Sequence, residues 1–159
     1  VHGIIPEDIR AMLGLSSQSS DLRSAVMSSA ISPQSSVTLW GTGTPKREFL
    51  YSEDMADVCI FLLNLSDNEL SSFLNPDASV PPLINIGCGE DLTIRELAEL
   101  VAAVVGFKGS LTFDTSKPDG TMRKVLDVSK IQALGWRAKI PLTDGIFRTY
   151  QDYVSGITE

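Results

Sequence analysis

Three side chains in this sequence have the chemistry that a phosphorylated, ring-bearing ligand needs. Trp40 closes the apolar run Val37 to Trp40, Arg47 follows the turn Gly-Thr-Gly-Thr-Pro-Lys, and Lys124 stands beside Arg123 after a second turn, Lys-Pro-Asp-Gly. An indole offers an amphipathic face to a sugar or base, a guanidinium a planar fork for phosphate or hydroxyl oxygens, and an ammonium a compact positive charge. Glycines on either side of Thr42 let that loop approach a ligand closely. His2, the sole histidine, is the residue type best suited to moving a proton near neutral pH. Each has a plainer reading as well. Trp40 fits a core position, Arg47 a surface ion pair with Glu48, His2 an exposed terminal side chain, and the Lys117–Gly120 turn ordinary hairpin chemistry.

The elements that must position these residues alternate between strand and helix patterns, so the class is α/β. Val37 to Trp40 and Arg47 to Tyr51 read as short strands joined by the glycine–proline turn, forming a bent loop. Met55, Val58, Cys59, Leu62 and Leu65 recur at helical spacing, which predicts a helix over 54–65 with Ser52, Glu53 and Asp54 at its positive end. The polar stretch from Asn64 to Pro82 reads as a surface loop, followed by a strand over Leu83 to Ile86 and a turn at Gly-Cys-Gly-Glu-Asp. Thr93 and Glu96 form a T-x-x-E capping box ahead of an apolar face made by Ile94, Leu97, Leu100, Val101, Val104 and Val105, with Gly106 as the stop. A strand over Leu111 to Asp114 and a brief extended piece at Lys124 to Asp127 follow. A helix over 128–134 then ends at Gly135, and a last amphipathic helix carries Ile146, Phe147, Tyr150, Tyr153 and Val154. Trp136, after that helix stop, reads as a packing residue. Upstream, a short helix over 6–13 precedes a serine-rich loop, and the organisation is an entry segment, 1–36, before a substrate-binding domain, 37–159.

With 159 residues, 43% hydrophobic and 21% charged, the chain has enough apolar material for one soluble globular domain. A net charge of -7 argues against a nucleic-acid partner, which calls for clustered basic surface. No apolar stretch is long enough to span a bilayer. Cys59 and Cys88 lie far apart without a metal-type or redox-type neighbour, which suits a reducing cytoplasm. The start, Val-His-Gly-Ile-Ile-Pro, has no initiator methionine and predicts a fragment of a longer chain.

The run Trp40 to Tyr51, W-G-T-G-T-P-K-R-E-F-L-Y, with Asp54-Met55-Ala56 after it, resembles the signature of the GDP-L-fucose synthases in the extended short-chain dehydrogenase/reductase superfamily. The resemblance continues through Asn85-Ile86-Gly87, Thr93 to Ala98, Gly106 to Gly109, Ser116 to Thr121, Arg123-Lys124, Leu134-Gly135-Trp136 and Thr149-Tyr150, and so covers most of the chain. It implies the C-terminal, substrate-binding portion of such an enzyme, with small sheets, flanking helices and the N-terminal Rossmann half absent. It further implies conversion of GDP-4-keto-6-deoxy-D-mannose to GDP-L-fucose by epimerisation at C3 and C5 and reduction at C4 with NADP(H), in a homodimeric parent. By resemblance, Trp40, Arg47 and Lys124 bind the GDP-sugar, His2 is an acid/base group, and Arg10 follows at the family spacing as a further substrate-binding residue. The chain has no G-x-x-G-x-x-G turn and no Tyr-x-x-x-Lys pair, because Tyr51, Tyr150 and Tyr153 are followed four residues later by Met55, Val154 and Ile157. Cofactor binding and hydride transfer are therefore expected mainly of the missing half, and this chain alone is expected to be inactive. The alternatives are another nucleotide-sugar epimerase or dehydratase, or a freestanding sugar-nucleotide-binding module.

Overall fold

A computed structural model describes residues 35–73 and 83–157. His2, Arg10, the short helix over 6–13 and the serine-rich loop lie outside the described residues. The described chain runs β1 (Ser36–Trp40), β2 (Lys46–Arg47), α1 (Ser52–Leu63), α2 (Asp67–Phe73), β3 (Leu92–Thr93), α3 (Ile94–Val105), β4 (Ser110–Asp114), β5 (Arg123–Lys124), α4 (Ser129–Ala133) and α5 (Leu142–Ile157). It is an α/β arrangement with two small sheets. In one, β1 and β4 lie parallel with Trp40 opposite Asp114; in the other, β2 is central, antiparallel to β3 and parallel to β5.

The first two strands therefore do not pair with each other. The glycine–proline turn carries the chain from one sheet to the next, and of the expected 47–51 strand only Arg47 joins a ladder, with Lys46 before it. Leu83 to Ile86, expected as a strand, is not one. Alternation qualifies a segment for a strand, but a strand forms only where a neighbour supplies the other half of its hydrogen bonds, and no such neighbour stands beside 83–86 among the described residues. Instead, Asn85 donates its side-chain amide to the Asp127 carbonyl (3.1 Å), and Lys130 donates to the Leu83 carbonyl (3.3 Å). The expected 64–82 loop contains α2, started by a reciprocal box in which Ser66 Oγ accepts from the Glu69 amide and the Glu69 carboxylate accepts from the Ser66 amide.

The strongest local signal behaves as its residues dictate. Thr93 accepts from the Glu96 amide at 3.1 Å, Glu96 accepts from the Thr93 amide at 2.7 Å, and Gly106 turns left-handed with φ 73° to close α3. Such a cap stabilises a helix by about 1 kcal/mol. The apolar face of α3 then packs against α5.

Val58 of α1, Val128 and Ile131 at α4, and Trp136 form the buried cluster, with Leu50, Ile84, Ile86 and Leu134 packed around it. Two carboxylates of α1 tie the segment after α4 to this core. Asp54, 2% exposed, accepts from the Lys139 amide at 3.1 Å and the Ile140 amide at 3.0 Å. Asp57 accepts the Trp136 indole N–H at 2.8 Å and the Lys139 ammonium at 2.9 Å. Trp136 is thus a packing residue whose one polar atom is satisfied. The opposite side of α1 leaves Ile60 and Leu63 exposed.

Candidate functional site

The parallel pairing of β2 and β5 sets Lys46 opposite Arg123 and Arg47 opposite Lys124. Neighbouring strands are separated by about 4.8 Å, so four cations gather on two rungs of one short ladder. Repulsion among them is relieved on the first rung. The Asp91 carboxylate, whose side chain is 7% exposed, bonds Arg123 Nε and stands 3.6 Å from Lys46 Nζ. Those cations hold the Asp91 carboxyl below the usual carboxylate range, the Arg123 hydrogen bond foremost. On the second rung, Arg47 donates to the Lys46 carbonyl at 2.6 Å, and among the described residues no carboxylate lies within ion-pair distance of Arg47 or Lys124.

Arg47 and Lys124 line the same open cleft of about 690 Å³, together with Glu48, Arg123 and the apolar stretch Leu50, Ile86, Gly87, Val125 and Leu126. Glu48 is not the surface ion-pair partner of Arg47. Its carboxylate accepts from the Gly89 amide at 2.7 Å and the Leu126 amide at 2.8 Å, pinning the glycine turn to the strand-like wall. A cleft that joins two cations without ion-pair partners among the described residues to a stretch of apolar side chains suits a ligand that is anionic at one end and flat and apolar at the other. Two further concavities suit it less. A cavity of about 450 Å³ between α3 and α5 is lined mainly by apolar side chains. One of about 500 Å³ sets Glu90 and Asp91 against Arg137 and Lys139, whereas the Arg47 cleft sets three bases, Arg47, Arg123 and Lys124, against the single acid Glu48, which is engaged by backbone amides.

Trp40 stands apart from this cleft, at the end of β1. It is 73% exposed, which sets aside the core reading, and the Lys117 ammonium lies 5.7 Å from its ring centroid. The five-residue loop after it, Gly41 to Pro45, leads directly into β2 and Arg47. The structure thus brings Arg47 and Lys124 together, sets Trp40 at the start of the loop that delivers Arg47, and leaves His2 and Arg10 outside the described residues. Sequence reading missed the acids of the site, Glu48, Asp91 and Asp119. The Pro-Asp-Gly turn disguised Asp119, and nothing in spacing reveals a carboxylate that caps backbone amides across the fold.

No described glycine turn makes a dinucleotide cradle. A pyrophosphate needs a glycine turn opening onto a free helix N-terminus, but Gly41-Thr42-Gly43 leads into β2, Gly87-Cys88-Gly89 leads toward β3, and the α3 N-terminus is filled by the Glu96 carboxylate. Among the described residues no cluster of His, Cys, Asp and Glu could hold a metal ion, and no helix is long and apolar enough to cross a membrane.

Residues 13–87 match the NAD dependent epimerase/dehydratase family. GDP-L-fucose synthase 1 of Arabidopsis thaliana is 48% identical over 121 residues, which is 76% of this chain and 34% of the relative. The GDP-L-fucose synthase of Escherichia coli K12 is 49% identical over 115 residues, 72% of this chain and 35% of the relative. Among solved structures, a GDP-mannoheptose C4 reductase from Campylobacter jejuni with NADP bound superposes with a TM-score of 0.62 at 42% identity, covering 77% of this chain and 36% of that one. The chain spans about a third of the length of these relatives. It belongs to the extended short-chain dehydrogenase/reductase superfamily, as a GDP-L-fucose synthase-like member.

Proposed function

We propose that this chain is the C-terminal, GDP-sugar-binding part of an NADP-dependent epimerase/reductase that makes GDP-L-fucose from GDP-4-keto-6-deoxy-D-mannose. The observation that carries this reading is the Arg47–Lys124 rung, two cations without an ion-pair partner among the described residues that line one cleft with Leu50, Ile86, Val125 and Leu126. A diphosphate presents two negative charges within a few ångströms, and a guanidinium fork with a neighbouring ammonium engages both phosphates while the guanine lies along the apolar side chains. Trp40 then offers its ring to the sugar end. His2 serves as an acid/base group for epimerisation, and Arg10 contacts the substrate.

NADP(H) binding belongs to the rest of the parent enzyme, because the described turns do not fit a dinucleotide. The parent is a cytoplasmic homodimer in this reading, to which the two free cysteines are suited. Domain 37–159 carries the sugar-nucleotide site and 1–36 its entry segment. The similarity to the GDP-mannoheptose C4 reductase supports a second reading, in which the sugar is a GDP-heptose and only the GDP end is shared.

The test is calorimetric comparison of GDP-mannose, UDP-glucose and dTDP-glucose, on this chain and on the full-length parent, with an NADPH oxidation assay of the chain given the keto sugar. Binding of the GDP-sugar alone and no NADPH oxidation support the proposal. A preference for UDP counts against the GDP assignment, and turnover by the isolated chain overturns the division of labour.

A further inference from the structure

We infer that Asp119 is a positioning residue that fixes the Trp40 loop and, through its own turn, sets Lys117 over the indole, so that Trp40 is a preformed platform with one face capped by a cation. The role rests on the reading above in that Trp40 contacts a sugar nucleotide.

A large aromatic side chain that is 73% exposed has little packing to hold it, so its position depends on the backbone that carries it. That backbone is constrained from several sides. Gly41 donates to the Asp114 carbonyl at 2.9 Å, extending the β1–β4 ladder by one step. The half-buried Asp119 carboxylate takes the next residue with both oxygens, accepting from the Thr42 amide at 2.6 Å and from the Thr42 hydroxyl at 2.8 Å. Gly41 and Gly43 both adopt positive φ, 79° and 77°, and a side chain at Gly41 would collide with the Asp119 carboxylate. Arg95 secures the far side: its amide donates to the Gly43 carbonyl at 3.0 Å and its guanidinium to the Thr42 carbonyl at 3.1 Å, while the guanidinium lies 3.8 Å from the Phe113 centroid.

Asp119 differs from the other supports because its own turn also carries Lys117. The Lys117 amide is bonded to the Asp114 carbonyl at 3.2 Å, so the turn is anchored at its start by Asp114 and at its end by the Asp119–Thr42 bonds. Between these anchors the Lys117 ammonium sits 5.7 Å from the Trp40 centroid. A cation over one face of an indole is attracted to the ring quadrupole, and it leaves the opposite face for a ligand while adding positive charge at the rim. The chemistry recognised is a flat or ring-shaped group attached to an anion, as in a sugar phosphate.

The full chain offers its own reporter, because its only other tryptophan, Trp136, is 4% exposed and has its N–H held by Asp57. Time-resolved fluorescence anisotropy of D119A should show a new nanosecond depolarisation absent from the wild-type protein, together with about a tenfold loss of GDP-mannose affinity. D119N, which keeps an acceptor for the Thr42 amide and can donate to its hydroxyl, should restore most of both. K117Q should lower iodide quenching of the exposed indole relative to acrylamide quenching, without adding mobility. Unchanged anisotropy in D119A, with the fold intact by thermal unfolding, overturns the positioning role. Added mobility in D119A, in a protein whose wild-type form takes no nucleotide sugar, supports the positioning role and instead overturns the sugar-nucleotide reading.

Discussion

Removing the Arg47 guanidinium should weaken GDP-sugar binding far more than it alters the fold. Arg47 donates one N–H to the Lys46 carbonyl, which leaves the rest of its five donors for a ligand. A hydrogen bond to a charged partner contributes about 1.5–3 kcal/mol, so R47A should raise Kd by roughly 10- to 150-fold at about 1.4 kcal/mol per decade. Lys124 lacks the bidentate geometry, and K124A should lose about tenfold. Because the two residues are register partners and act on one diphosphate, their losses should not add. With one cation gone the phosphates shift toward the other, and a double-mutant cycle should return a coupling of at least ~0.5 kcal/mol. Salt should weaken the wild-type protein more than the double variant. Titration calorimetry with GDP-mannose measures all of this, with thermal unfolding as the control. R47A binding within about twofold of wild type, with the same salt dependence, refutes the reasoning.

Asp54→Ala removes a buried carboxylate and leaves the part-buried amides of Lys139 and Ile140 without their acceptor, and should cost about 2 kcal/mol in urea unfolding; a loss below ~1 kcal/mol contradicts the clamp. The folded-state pKa values of Asp57, Asp91, Glu96 and Asp127 lie below their ordinary values, held down chiefly by hydrogen bonds from Lys139, Arg123, Thr93 and Ser129 respectively. Depressed carboxylates contribute stability that is complete above the unfolded pKa and is lost as pH falls through the folded one. The urea midpoint should therefore stay level from about pH 7 to 5 and fall below about pH 4; a midpoint that rises on acidification contradicts this. Burial pushes the Cys88 thiol upward, and its S–H donates to the Phe49 and Glu90 carbonyls at 3.4 Å. Iodoacetamide should therefore label the exposed Cys59 first, and mass spectrometry showing Cys88 labelled first overturns that order.

Features written within a few consecutive residues were legible in the sequence, and features made by distant residues were not. The Thr93–Glu96 box, the Gly106 stop and the apolar stripe of α3 are local physics, and the structure has them where the residues dictate. Ser66 and Glu69 carried the same kind of signal for α2, hidden within a polar stretch. Strand formation at 48–51 and 83–86 depends on a partner, which alternation within one segment does not supply. For the candidate site, the residue types at 40, 47 and 124 were readable, but no spacing tells that Arg47 faces Lys124 across a parallel ladder while Trp40 ends a different sheet. The acids around them act on amides far along the chain, Glu48 on Leu126 and Asp119 on Thr42.

The most direct test of the central claim is a map of amide chemical shifts in the 159-residue chain as GDP-mannose is added, with UDP-glucose as the comparison. The account predicts shifts concentrated at Trp40 to Glu48 and at Arg123 to Leu126, saturating with the guanosine ligand and small with the uridine one. Shifts confined to α3 and α5, or equal responses to the two nucleotides, would contradict it.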